Sequence, residues 1–192
     1  MQEGCFLGIM KLIIAAAMVM VVMSMSPGCS TTPKAEDQGE ILADSREAMD
    51  WFISNVSGLD RQLGSSAGYI VYPGVGQYGL LIGGGKFGRG VVYDNRNQQV
   101  GWAYLNAASA GLQIGGQGFK MLVVFQNSST MDEFMENKLT GDVGATIVAA
   151  DAGKAGAASF TNGIAVYQGA QTGLMAGASV GLDYMRYEAA KP

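Results

Sequence analysis

Three glycines in the stretch GLLIGGGKFGRG, residues 79–90, stand at the G-x-G-x-x-G spacing typical of a phosphate-binding loop: Gly83, Gly85 and Gly88. Such a loop holds a pyrophosphate because its last glycine opens a helix whose unpaired N–H groups point at the anion. The residues that follow, RGVVYDN, instead predict a β-branched strand that runs into a turn. The spacing is therefore weak evidence for a phosphate loop, and we expect no nucleotide partner.

Few other residues could carry catalysis. The chain contains no histidine, which removes the commonest general base and the commonest metal ligand. Both cysteines, Cys5 and Cys29, lie near the amino terminus, so the rest of the chain has neither a CxxC metal site nor a disulfide framework. Paired carboxylates would need mutual approach and a shifted pKa, which the spacing of Asp142, Asp151 and Asp183 does not establish. We expect no enzymatic activity, no metal and no cofactor.

Basic residues that could bind a phosphate are concentrated in one part of the chain. Residues 64–130 hold four bases against one acid, although the whole chain has a net charge of -4, which argues against nucleic acid as a partner. Lys86 and Arg89 fall in a predicted turn, and Lys120 follows a later glycine-rich stretch at a similar offset. All three could gather at one end of a sheet as a phospholipid head-group site, since arginine donates two parallel hydrogen bonds to phosphate. Bases in turns are also commonly just solvated.

The amino-terminal segment has the pattern of a secretion signal. Lys11 precedes a short apolar run, LIIAAAMVMVVMSM, and the sequence then reads Ser-Pro-Gly-Cys up to Cys29. We interpret residues 1–28 as a signal peptide. Met10 is an alternative start of translation, which would leave residues 1–9 as an upstream extension. An uncleaved membrane anchor is the alternative, but the run is shorter than the roughly 20 residues that a spanning helix needs.

The end of this signal resembles the lipobox of bacterial lipoproteins, in which the cysteine is acylated and becomes the first mature residue. Ser26 and Pro27 depart from the usual lipobox residues. The resemblance implies lipidation of Cys29. Ser30 lacks the aspartate that resembles an inner-membrane retention signal, which favours the periplasmic face of the outer membrane.

The mature chain divides into a tether, residues 29–39, and one domain, residues 40–188. A helix is predicted from Glu40, because mostly apolar residues recur at intervals of three and four, with acids at its start. Its predicted apolar stripe comprises Ile41, Leu42, Ser45, Ala48, Met49, Phe52 and Val56. Glycine at residue 58 ends this helix, and one further turn precedes Gly64.

Short β-forming runs separated by glycine and asparagine then predict a mainly β, α+β domain, with a strongly coiled antiparallel sheet that forms a small barrel or sandwich. The predicted strands are residues 68–72, 78–83, 90–93, 100–105, 111–114, 119–125, 145–149, 163–168 and 173–187. A hairpin turn is predicted at Asp94–Asn97, and one short helix near 129–137, capped by Ser129 or Thr130.

A hexamer that begins and nearly ends with glycine occurs three times, as GLLIGG, GLQIGG and GLMAGA. Three copies cannot all be one phosphate loop. Because alternate strand residues face opposite sides, Leu80 and Ile114 are expected on one face and the glycines on the other. Strand glycine marks a bend or a close approach, so we predict curved strands. The structural glycines are Gly79, Gly83, Gly111, Gly115, Gly173 and Gly177.

Five ordered motifs, GYIVYPGV, residues 79–90, GLQIGGQ, GDVGA and GLMAG, resemble those of the SYLF domain family over nearly all of the mature chain. In eukaryotes this family binds phosphoinositide membranes and, in some members, actin. The resemblance implies a phospholipid-binding module rather than an enzyme. A bacterial periplasm holds neither ligand, and the basic amino-terminal segment of the family is acidic here. The alternative is a structural or assembly protein of the cell envelope that acts through protein contacts, with Trp51, Trp102, Tyr104 and Tyr184 as core or interface aromatics.

Overall fold

The computed structural model describes residues 35–139, 147–149 and 155–190. These residues form three helices and six strands. The helices are α1 (Ala35–Asn55), α2 (Leu59–Gly64) and α3 (Ser128–Met135). The strands are β1 (Val56–Ser57), β2 (Gly68–Asp94), β3 (Gln99–Phe125), β4 (Ile147–Ala149), β5 (Ala155–Gly156) and β6 (Ile164–Ala189).

Three long strands make up most of the sheet. β2 pairs antiparallel with β3, and β3 pairs antiparallel with β6 along almost its whole length. The short β4 adds in parallel to the outer side of β6, and β1 with β5 forms a separate parallel pair. Within the described residues the order β2-β3-β6-β4 is open, so the sheet is not closed into a barrel. The prediction of a mainly β protein with an antiparallel sheet and an amino-terminal helix is confirmed.

Continuous strands replace several of the predicted short ones. The three runs predicted between residues 68 and 93 are parts of β2, and the three predicted between 100 and 125 are parts of β3. The supposed turn that carries Lys86 and Arg89 is therefore the middle of a strand, and that interpretation is wrong. The glycines that suggested turns between short strands instead bend long strands that remain paired. The hairpin turn at Asp94–Asn97 is confirmed, since the Asn97 N–H donates to the Asp94 carbonyl oxygen at 3.1 Å.

β2 doubles back on itself. The rings of Tyr69 and Tyr93 stack with centroids 5.1 Å apart. A straight strand would separate these residues by roughly 80 Å. Nearer the middle, a methyl group on Gly90 would lie 2.8 Å from the Tyr72 ring, and one on Gly76 would lie 2.5 Å from the Phe87 ring. These facing pairs are centred on residue 81, so the strand folds there.

The three glycine hexamers lie side by side at this bend. Gly79 pairs with Gly115, and Gly115 pairs in turn with Met175 of β6. A register shift between Leu81 and Gly83 interrupts the β2–β3 ladder, where Leu81 has a φ of 53°. Gly115 has a φ of 114°, a conformation that a side chain strongly disfavours. The repeated motif therefore bends all three strands at the same level, and the prediction of a strongly coiled sheet is confirmed.

Hydrophobic clusters occupy both sides of the folded sheet. The larger one fills the inside of the coil, where α3 contributes Phe134, stacked on Phe125 with ring centroids 5.2 Å apart. Other fully buried members are Ile70, Tyr72, Val92 and Ile164. Two clusters lie outside the sheet under α1, one around Phe52 and Tyr167 and one around Trp102 and Tyr104. These clusters use residues between 41 and 187, so a chain that begins at Thr32 retains the whole described core.

Helix boundaries differ from the predictions in two places. α1 begins at Ala35, so the last five residues of the predicted tether are helical, Gly39 included. A glycine costs a helix only about 1 kcal/mol, and acids at the first turn interact favourably with the helix dipole. α3 is capped by Asn127, whose side chain accepts a hydrogen bond from the Thr130 N–H, and not by Ser129 or Thr130.

Candidate functional site

Five of the six exposed large apolar side chains in the described part of the chain lie at the bend of the sheet. Leu80 is 69% exposed, Leu81 66%, Phe87 57%, Ile114 55% and Tyr78 46%. Leu80 and Ile114 are partners across β2 and β3, so they lie next to each other. We call these five residues the apolar bend. Clustered exposed apolar residues mark an interaction surface, whereas single ones are ordinary.

Four of the five residues of the apolar bend lie in strand segments without charge, and the fifth, Phe87, is next to Lys86. Residues 68–85 of β2, 99–119 of β3 and 164–182 of β6 contain no Asp, Glu, Lys or Arg. An ordinary protein surface carries about 25–35% of such residues. Within these segments the exposed side chains of Tyr78, Leu80, Leu81 and Ile114 form an apolar surface without charge, which is typical of a surface that meets an apolar partner.

The shape of the bend limits its partners. Three strands lie about 4.8 Å apart, so the bend is a narrow convex ridge rather than a groove. Stable protein interfaces usually bury about 800 Å² on each partner. A fluid bilayer can enclose a narrow ridge more readily than a rigid protein surface can. In the described sheet β2 pairs only with β3, so its other edge keeps unpaired backbone groups that deep burial in hydrocarbon would penalise.

The predicted head-group residues do not gather at one point. Arg89 lies 4.0 Å from the Asp37 carboxylate, and Lys120 donates to Glu47 at 3.3 Å. Asp37 and Glu47 are ten residues apart on α1, which corresponds to about 15 Å along the helix. Two of the three predicted bases are therefore matched, well apart, with acids of α1. Lys86 stands on β2 opposite Ala107, at the foot of the bend.

A groove of about 360 Å³ lies between α1 and the β2–β3 turn, far from the bend along the strands. Arg46 and Asp50 of α1 line one side, and the stacked Tyr69 and Tyr93 line another. Burial, with smaller contributions from Tyr93 and Asp94, raises the pKa of Tyr69 to about 12. Its phenol donates to Asn97 Oδ1 at 3.0 Å and stays protonated near neutral pH. Tyr69 is therefore not poised for proton transfer at physiological pH.

Sequence reasoning missed the apolar bend. The alternation placed Leu80 and Ile114 on one face, and they are cross-strand partners, but that face is exposed at the bend instead of buried. Strand periodicity distinguishes the two faces of a sheet without showing which one is covered. The missed signal is that three neighbouring glycine-rich runs contain no charged residue, whereas an ordinary solvated face would carry charge.

Other predicted residues are placed as follows. Trp102 and Tyr104 are buried core aromatics, and Trp51 is half-buried. Cys29, Asp142 and Asp151 lie outside the described residues, as do the side chains of Asp183 and Tyr184. Gly83, Gly85 and Gly88 are strand residues that open no helix, as the sequence predicts for a stretch that is not a phosphate loop.

The acidic side chains in the described part of the chain form no cluster of three or more that could hold a metal ion. None of the helices in this part is both long and apolar enough to span a membrane.

The second half of the described sheet matches a known family. Residues 106–189, somewhat less than half of the chain, match the family described as Ysc84, Las17-binding protein actin regulator. This segment runs from β3 through α3 to the end of β6, so it includes two of the three strands that form the bend. The search of individual curated proteins finds no match. Residues 106–189 thus match the SYLF, or Ysc84, family, which confirms the family that the ordered motifs of the sequence predict.

Proposed function

We propose that this protein is a non-catalytic membrane-lipid-binding protein of the cell envelope, whose SYLF domain meets phospholipid through the apolar bend. The observation that carries the proposal is the exposed apolar bend, in which Tyr78, Leu80, Leu81 and Ile114 lie in segments without charge. The family match supports it, because a SYLF domain is consistent with lipid or actin binding. The bend favours lipid, since an actin surface would call for polar and charged complementarity that an apolar ridge does not provide.

Insertion of the apolar bend into the hydrocarbon of a membrane is energetically favourable. Transfer of a large apolar side chain from water is worth about 1.5–3 kcal/mol. Leu80 and Leu81 each expose about two thirds of their surface, so each contributes about 1–2 kcal/mol on insertion. The remaining three residues of the bend add to this, which brings the total into the range of a useful membrane affinity.

We further propose acylation of Cys29 and residence at the periplasmic face of the outer membrane. Six residues separate Cys29 from Ala35, where α1 begins, and an extended chain spans them in at most about 22 Å. Asp37 pairs with Arg89, and Arg89 is eight residues from Leu81, about 26 Å along a strand. An anchor at Cys29 and the apolar bend can therefore reach the same bilayer, which favours the bilayer over a protein as the partner of the bend.

The first test replaces the two leucines with residues that suit their backbone. Leu80→Thr keeps a β-forming side chain, and Leu81→Asn suits the positive φ at that position. We expect the double variant of residues 32–192 to bind vesicles at least about thirtyfold more weakly in a flotation assay. Its thermal unfolding should be nearly unchanged, because both side chains are exposed.

Ile53→Gln is the matched control, because Ile53, on α1, is the one other large apolar residue with high exposure, at 47%, in the described part of the chain. It should bind vesicles like the unmodified domain. Equal flotation of the leucine variant and the control would contradict the role of the bend. Self-association of the unmodified domain that the leucine variant abolishes, without any vesicle binding, would favour the assembly role.

A second test addresses the anchor in the full chain. We expect Cys29→Ser to abolish fatty-acid labelling and to move much of the protein out of the outer-membrane fraction. The physical reason is that each buried CH₂ of an acyl chain contributes about 0.8 kcal/mol. Summed over its acyl chains, the anchor therefore contributes far more binding free energy than the bend does. Unchanged labelling and fractionation would show that the protein is not held by lipidation at Cys29.

A further inference from the structure

We infer that the apolar bend does not discriminate by head-group charge: it takes phospholipid, zwitterionic phospholipid included, through the hydrocarbon boundary and does not require an anionic head group. This inference rests on the proposed lipid-binding function and specifies its ligand class. It differs from a head-group site built on Lys86, Arg89 and Lys120, which would require anionic lipid.

The first support is the composition of the inserting surface. Four of the five residues of the bend, Tyr78, Leu80, Leu81 and Ile114, lie in segments of β2 and β3 that carry no charge, and Lys86 adjoins the fifth, Phe87. Attraction to an anionic head group needs a cation at the contact, and its strength falls within a Debye length of about 10 Å in ~0.1 M salt. Charge-free contacts discriminate only by how easily the lipid surface admits apolar side chains.

The second support is the arrangement of the nearest bases. Beyond Lys86, the next base along β2 is Arg89, and the first base after the charge-free segment of β3 is Lys120. Each of these two faces an acid of α1. Lys120 is also largely covered, with its side chain 21% exposed. The charge that these bases would offer to a phosphate is therefore offset locally by Asp37 and Glu47.

The third support is the outer surface of α1, which packs along β2. Its exposed residues include four acids and one base, Glu40, Asp44, Glu47, Asp50 and Arg46. Asp37 of this helix pairs with Arg89, which is about 26 Å from Leu81 along the strand, more than two Debye lengths in ~0.1 M salt. The helix therefore supplies no attraction to anionic lipid and only a screened repulsion.

The test measures partition of residues 32–192 onto two kinds of vesicle, one of phosphatidylcholine alone and one of phosphatidylcholine mixed with phosphatidylglycerol. Each is measured from about 0.1 M to about 1 M sodium chloride, over which the Debye length falls from about 10 Å to about 3 Å. We expect the two partition coefficients to agree within about threefold and to change little with salt. The Leu80→Thr, Leu81→Asn variant should lose binding to both kinds of vesicle.

The outcomes separate this inference from the function on which it rests. Binding that is more than about tenfold stronger to the anionic vesicles, and that weakens with salt, would overturn the inference while lipid binding stands. In that case Lys86→Glu with Arg89→Glu should abolish the excess, as a head-group site predicts. Failure to bind either kind of vesicle, with cooperative unfolding intact, would overturn both the inference and the proposed function.

Discussion

Phe52→Ala is expected to lower the free energy of unfolding by about 3–5 kcal/mol, the usual cost of removing a buried phenyl ring. The Phe52 side chain is fully buried between α1 and the outer face of the sheet, in one cluster with Val71, Leu122 and Tyr167. Removal of its ring leaves a cavity at the main contact between helix and sheet. Urea unfolding of residues 32–192, followed by tryptophan fluorescence and circular dichroism, measures the loss.

Ile53→Ala is the matched control for Phe52→Ala. The two residues are neighbours on α1, but Ile53 is 47% exposed. Alanine is the better helix former, so this change should stay within about 0.5 kcal/mol of the unmodified domain. Similar losses for both variants would mean that α1 does not pack on the sheet through Phe52.

Gly90→Ala is expected to destabilise the domain by about 1–3 kcal/mol, the range for an added methyl group in a packed site. The new Cβ would lie 2.8 Å from the Tyr72 ring and 2.9 Å from the Val71 carbonyl oxygen. Both belong to the other half of the same strand, and Tyr72 is fully buried. The substitution therefore tests directly whether β2 is folded back on itself.

Gly74→Ala provides the comparison within the same strand. Nothing lies within 4 Å of a Cβ added at Gly74, and its backbone does not adopt a positive φ. Alanine there should be neutral or stabilise by up to about 1 kcal/mol, since it restricts the unfolded chain. If Gly90→Ala is as well tolerated as Gly74→Ala, the two halves of β2 are not in contact at this point.

The ion pair between α1 and β2 contributes little to the stability of the domain. Arg89 and Asp37 are both exposed, and an exposed ion pair contributes at most about 1 kcal/mol. This pair therefore does little to hold the helix, which depends on Phe52, Ala48 and Val56. Its main effect is to offset the positive charge of Arg89 on the sheet. The physical design is an apolar ridge on a sheet that an acidic helix covers elsewhere.

Local chemistry determined much of this molecule from the sequence alone. The stripe from Ile41 to Val56 predicts α1 because helical residues three and four apart share a face, and Ala48, Phe52 and Val56 are indeed buried. Asp94 predicts the hairpin turn because its side chain accepts from the Arg96 and Gln98 N–H groups. The absence of histidine, the hexamer repeat and the SYLF motifs were equally visible without coordinates.

Tertiary structure alone decided what the repeated glycines do and which apolar residues remain in water. A glycine between two β-forming runs is compatible with a turn or with a bend, and only the continuous pairing of β2 with β3 distinguishes them. Strand periodicity likewise puts Leu80 with Ile114, but whether anything covers them depends on elements distant in the chain. The pairing of Arg89 with Asp37 joins residues 52 positions apart, a separation that no local pattern encodes.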